Sequence, residues 1–182
     1  SAAPASPPAA KPSPSGASAR LLEFWNKQRA AMNAMQLEQD IPKAIGLFRQ
    51  ALENDPTHED SRYYLAHCLA RQADWNSALK ELSELTRQNP QSHRGHQQWG
   101  ALRALSAQSD DELAQAEKSL ETAHALNPEE TGALLVLGEI ALLRGALATA
   151  EQRLEAACRT NPRAVGGFFL RGYLAWKRGD AT

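Results

Sequence analysis

Four prolines constrain this chain more than any other feature. Pro56, Pro90, Pro128 and Pro162 are spaced by 34, 38 and 34 residues, and each follows Asp or Asn. Each closes a stretch whose apolar residues have helical spacing, and proline stops a helix there because its ring pushes the preceding residue out of the α region. A regular interval of this length means that one short supersecondary unit recurs along the chain.

Numbering each of these prolines as position 32 aligns the units. Position 20 is then Ala44, Ala78, Ala116 and Ala150; position 24 is Phe48, Leu82, Leu120 and Leu154; position 27 is Ala51, Leu85, Ala123 and Ala157. The spacing i, i+4, i+7 is one face of a helix. Upstream, Leu65-Ala66, Trp99-Gly100, Leu137-Gly138 and Arg171-Gly172 place a small residue at position 8 of a preceding helix. A small residue there lets two antiparallel helices approach closely, so each unit is expected to be a helical hairpin. Two units keep a glycine between their helices, Gly145 and Gly179, where positive φ is cheap.

The departures predict local irregularities. Repeat one carries Met32 at position 8 and Gln39 in place of the turn glycine, which predicts a slightly splayed hairpin. Asp40 followed by Pro42, and Asp74 beside Trp75, read as starts of second helices, with a capping oxygen and, in the first, a proline where no amide donor is needed. Repeat three has four extra residues between Gly100 and Ala116, and Ser109-Asp110-Asp111-Glu112 supplies a capping box beside them. One extra helical turn is expected.

These residues resemble the tetratricopeptide repeat, a 34-residue pattern with a bulky residue at 4, Leu-Gly at 7 and 8, Tyr at 11, Ala at 20, a bulky residue at 24, Ala at 27 and Pro at 32. The resemblance spans residues 20–182. It implies an all-α, right-handed superhelical solenoid with repeats at 25–58, 59–92, 93–130 and 131–164, and the first helix of a fifth at 165–182. It also implies a concave groove lined by first helices, with positions 2, 5, 6, 9, 12 and 13 facing it.

On that register the groove carries Arg29, Asn33, Tyr63, Tyr64, His67, Arg94 and Gln98 in its first half and Leu135, Glu139, Leu142, Phe169 and Tyr173 in its second. The first half is polar, mildly basic and aromatic; the second is mostly apolar. Tetratricopeptide domains that hold chaperone C-termini grip the terminal carboxylate with a Lys/Asn/Arg clamp, whose matching positions here are Arg29, Asn33, Tyr64, Arg94 and Gln98. The central asparagine and second arginine of that clamp are lost, so a solvated helix face with incidental arginines is the preferred reading.

Other features bound the function. Twenty basic and 21 acidic residues give a net charge of -1, which argues against a nucleic-acid or anionic-membrane surface. The apolar runs are far shorter than the roughly 20 residues that cross a bilayer. Cys68 and Cys158 lie 90 residues apart without metal-ligand spacing and read as buried thiols. The sequence contains no nucleophile elbow, P-loop, dinucleotide fingerprint or HExxH, so catalysis is not expected. His67, His93 and His96 could form a metal cluster only without a carboxylate or cysteine at ligand spacing, and no metal or cofactor is expected. Trp75 and Trp99 fall on core positions 17 and 7.

Residues 1–19, with five of the ten prolines and no large apolar side chain, read as a disordered arm. The function expected is a non-catalytic scaffold that binds a protein or peptide in its groove, as part of a longer protein that continues past Thr182. Alternatives are a structural solenoid that self-associates through its uncapped C-terminal helix, and a regulatory region of a larger enzyme. Fourteen arginines against six lysines, with abundant alanine, suit a GC-rich bacterium, and the Pro/Ala/Ser arm slightly favours an exported or membrane-tethered protein.

Overall fold

A computed structural model describes residues 16–163 and 165–179. Among these the order is α1 Gly16–Gln36, α2 Ile41–Asn54, α3 Glu59–Arg71, α4 Trp75–Gln88, α5 His93–Ser106, α6 Asp110–Leu126, α7 Gly132–Leu143, α8 Leu147–Thr160 and α9 Val165–Arg178. Consecutive helices pack as the hairpins α1/α2, α3/α4, α5/α6 and α7/α8, and each hairpin stacks on the next, with α9 against α8 and α7. The fold is the tetratricopeptide-type solenoid that the proline period implies.

Local chemistry explains the boundaries. Asp40, Asp74, Ser92 and Ser109 each accept a hydrogen bond from the backbone amide three residues on, at 3.0, 3.2, 3.1 and 3.3 Å. His58 caps α3 in the same way through Nδ1, which accepts from the Ser61 amide at 3.1 Å. Glu112 reaches back to the amide of Gln108 at 2.7 Å, a variant of the capping box in which the acid serves the residue before the cap.

The Asp/Asn before each proline has a visible role. Its backbone amide donates to the carbonyl of position 27, as Asp55 does to Ala51 and Asn89 to Leu85, which closes the last turn. In three of the four units its side-chain oxygen accepts from the amide two residues on, past the proline that has none to give: Asp55 from Thr57, Asn89 from Gln91 and Asn161 from Arg163.

The turn between helices needs a left-handed residue at position 15. Gly145 and Gly179 supply it with φ of 71° and 80°. Gln39 and Ala73 adopt the same conformation, φ 56° and 59°, at a steric cost that glycine avoids. Three of the four extra residues of repeat three go into its second helix, since α6 has 17 residues against 14 for α4 and α8, and the fourth lengthens α5, which has 14 against 13 for α3.

The core runs along the helix interfaces. Ala44, Ala78, Ala116 and Ala150 at position 20, and Phe48, Leu82, Leu120 and Leu154 at position 24, are fully buried. A Cβ on Gly138 would lie 2.7 Å from Leu154 Cδ2, so the small residue at position 8 receives the large one at position 24. The first hairpin is closed rather than splayed: Met32 is half-buried against the core, where its flexible thioether fits, and Ala31, Ala34 and Phe48 beside it are fully buried.

Two expectations change. Residues 16–19, placed in the arm, form the first turn of α1, because Ala17, Ser18 and Ala19 after Gly16 contain nothing that breaks a helix. The rest of the arm, residues 1–15, lies outside the described residues. Trp75 at position 17 is 36% exposed rather than core, since it opens α4 at the rim of the groove. Cys68 and Cys158 are both buried free thiols, and burial pushes the Cys68 thiol up.

Candidate functional site

The first helices α1, α3, α5, α7 and α9 set the candidate site, and their side chains divide it into two chemically distinct halves. In the first half the Arg94 charge is already matched. Arg94 at the start of α5 pairs with Asp60 on α3, lies 3.4 Å from Glu59, and places its guanidinium over the Tyr63 ring at 4.9 Å. Glu59 in turn accepts from Ser92 Oγ at 2.7 Å and from Asn89 Nδ2. Burial alone would raise the Glu59 carboxyl, but the hydrogen bonds from Ser92, Asn89 and Arg94 outweigh it and hold the carboxyl below its ordinary value.

The aromatic residues of this half are also engaged. Tyr64 stacks on the buried Phe48 ring, 6.1 Å between centroids, and meets Tyr63 edge-on at 5.3 Å. His67 is half-buried; burial and then the nearby Arg71 push its imidazole below the ordinary value, so it is neutral at pH 7. Its neighbours across a shallow cleft are Trp75, Gln98, Ala101 and Leu105. Arg29 and Asn33 are exposed on α1, remote in chemistry from the Arg94 network. Of the five clamp positions, Arg94 is thus held by two acids and Tyr64 is packed on the core.

The second half is apolar. A cleft of about 490 Å³ between α7 and α9 is lined by Leu142, Leu143, Phe169, Leu170 and Tyr173, with Glu139 as the one charged group of its wall. Leu135 is half-buried one turn and more from the cleft, facing α9 near Gly166, and so supports the wall rather than forming its floor.

One feature of the groove edge follows from the repeat register. Leu37, Leu105 and Leu143 all sit at position 13, at or just after the last turn of a first helix, and are 78%, 72% and 80% exposed. Position 13 is one of the groove-facing positions of the register, and the end of the helix there leaves these leucines largely bare.

The histidines do not converge. His93 lies 3.6 Å from Glu130, His96 contacts the Pro90 carbonyl at 3.0 Å, and His67 faces the groove. Among the described residues no group of three His, Cys, Asp or Glu side chains is placed to hold a metal ion. No described helix is long and apolar enough to cross a membrane.

The tetratricopeptide repeat family matches residues 36–105 and again residues 102–164. The chain belongs to the tetratricopeptide repeat family. Solved structures agree on the fold of this tetratricopeptide domain. TTC0263, a thermophilic tetratricopeptide protein of Thermus thermophilus, is 22% identical, with a TM-score of 0.71 over 86% of this chain and 84% of that one. PilF of Pseudomonas aeruginosa is 20% identical, with a TM-score of 0.76 over 89% and 72%. YrrB, described as a tetratricopeptide protein with an unusual peptide-binding site, is 16% identical, with a TM-score of 0.66 over 91% and 86%. No curated protein sequence matches the chain significantly. Tetratricopeptide repeats are scaffolds for protein contacts, and this domain has their architecture.

Proposed function

We propose that this tetratricopeptide domain is a non-catalytic scaffold that holds a segment of a partner protein in its concave groove, with the α7/α9 half as the anchor. The observation that carries this reading is the apolar cleft of Leu142, Leu143, Phe169, Leu170 and Tyr173 with Glu139 on its wall. Exposed apolar side chains gathered in a concavity gain free energy when a partner's apolar groups displace water, whereas the matched ion pairs of the first half gain little. The segment this favours has two or three apolar residues on one face and a cation opposite Glu139. The peptide-binding site named for YrrB is in keeping with such a role.

The test begins with selection of short peptides from a displayed library against the immobilised chain. The best binder is then titrated against wild type, Leu143→Asp/Phe169→Asp and Arg29→Ala/Arg94→Ala, at low and high salt. Leu143 and Phe169 are exposed, so aspartates there leave the fold intact. Affinity falling at least about tenfold, or 1.4 kcal/mol, only in the aspartate variant and nearly independent of salt supports the anchor. A loss confined to the arginine variant and to low salt places binding in the first half instead.

A further inference from the structure

Each of the four hairpins leaves one large apolar side chain bare at the same rim of the groove. In repeats one, three and four it is the position-13 leucine, Leu37, Leu105 or Leu143. In repeat two that position is Arg71, and the apolar group comes instead from Trp75, which shares one cleft with Arg71, His67, Gln98 and Leu105. Bare apolar residues scattered over a surface need no explanation, but one per repeat at one rim forms a ladder. The ladder follows the ends of the first helices and not a stacking face, so a further repeat at either end of the solenoid would lengthen it rather than cover it.

The spacing of the rungs fits a regular chain. Packed helices lie about 8 to 10 Å apart, so successive rungs recur about every 10 Å. A polyproline II chain has three residues per turn and rises about 3.1 Å per residue, so every third side chain returns to one face after about 9 Å. A β-strand returns after about 7 Å and falls out of step within two rungs. An α-helix keeps step too, since seven residues rise about 10.5 Å, but its backbone groups bond one another. The polar groups of the groove decide between the two. Among the described residues the carboxamides of Asn33, Gln36 and Gln98 make no side-chain hydrogen bond, and neither does the Trp75 indole N–H. A carboxamide both donates and accepts, which suits the free amides and carbonyls of an extended backbone and not the spent ones of a helix.

Charge then fixes the ends. Arg71 donates to Gln39 at 3.1 Å and has no acidic partner among the described residues. Glu139 is exposed on the wall of the cleft that holds Leu143 and has no basic partner among them. We infer that the partner segment lies along this rim as an extended polyproline II chain, with an apolar side chain at every third residue, an acid opposite Arg71 and a cation opposite Glu139. This inference rests on the groove reading above and adds the conformation and spacing of the occupant. Residues 1–15 of the chain itself are rich in proline but contain no large apolar side chain, so they do not fit the ladder.

The experiment is a fluorescence-anisotropy titration of end-capped peptides of about ten residues, which span about 28 Å when extended and so reach from the first rung to the fourth. Two carry leucine at every third residue and differ only in the order of their charges: Leu-Pro-Glu-Leu-Pro-Ser-Leu-Pro-Lys-Leu, and the same peptide with Glu and Lys exchanged. The better of the two should bind at least about fivefold more tightly than an isomer with leucine at every second residue, and than an alanine-based helix with leucine at every seventh. Arg71→Glu/Glu139→Lys should invert the preference between the two charge orders. Leu37→Ser and Leu105→Ser should each weaken the better peptide at least about threefold and leave the melting midpoint unchanged, because both leucines are exposed. Failure of every peptide to bind, equal affinity for the isomer or the helix, a charge preference that the double variant leaves as it was, or indifference to both serine variants would each overturn the inference. A library-selected peptide that depends on Leu143 and Phe169 but not on Leu37 or Leu105 would keep the α7/α9 anchor and overturn the ladder.

Discussion

Gly100 and Leu120 touch so closely that a Cβ on the glycine would lie 2.6 Å from the leucine Cγ, and 3.0 Å from the Ala116 carbonyl oxygen. The register that places small residues at position 8 therefore acts through position 24 of the next helix and through backbone at position 20. Gly138→Leu and Ala78→Leu should each destabilise the domain by about 1 to 3 kcal/mol or more, because the helices must separate to admit the added atoms. Arg87→Ala should leave stability nearly unchanged, since Arg87 is exposed and pairs with Glu84 one turn away. Urea titrations of the three variants check the order; equal midpoints would contradict this packing.

Ala73→Gly should stabilise. Ala73 holds a φ of 59°, a conformation that costs an L-residue about 1 to 2 kcal/mol, partly offset by the greater freedom of glycine in the unfolded chain. A net gain of about 0.5 to 1 kcal/mol raises the melting midpoint by about 1 to 4 °C, which calorimetry resolves. Gln39→Gly should gain less, because the Gln39 side chain donates to the Gln36 carbonyl and accepts from Arg71 at 3.1 Å, and the glycine loses both.

Glu59 should make stability depend on pH. Its folded-state carboxyl is held below the ordinary value of 4.5, so its contribution is present in full above that value and is lost as pH falls through the folded value. Wild type should therefore lose more stability than Glu59→Gln between pH 7 and pH 4 and below. At pH 7, Glu59→Ala should cost about 1 to 3 kcal/mol, since Ser92 and Asn89 lose their acceptor at the joint between repeats two and three. Denaturant titrations across this range check both statements, and parallel curves for wild type and Glu59→Gln would refute the first.

The fold was legible because its determinants are local and periodic. The Asn-Pro and Asp-Pro stops, the caps Asp40, Asp74, Ser92 and Ser109, and the alanines of position 20 each act within one repeat. The extra turn of α6 was legible for the same reason. The left-handed Ala73 was not, because nothing in an alanine announces positive φ; only its position 15, shared with Gly145 and Gly179, does. The matching of Arg94 by Asp60 and Glu59 was not legible either. Those residues are 34 and 35 positions apart, and their contact depends on how one first helix stacks on the next. A clamp position can thus match in residue type and still be occupied by an intramolecular acid.

The division of the buried side chains into two clusters has a further meaning. The larger cluster joins α1 to α4 and ends at Leu102 on α5, while a smaller one joins Ala116, Leu120 and Ala123 of α6 to Ala133, Leu137 and Ile140 of α7. A solenoid contains no contact that closes its two ends on each other, so its cooperativity is passed from neighbour to neighbour. The chain then behaves less like a block than like a zip, in which one hairpin can open while a hairpin two units away stays protected from exchange with solvent. An occupant of the apolar cleft between α7 and α9 would therefore tighten the helices it touches first and the far repeats only through the hairpins between.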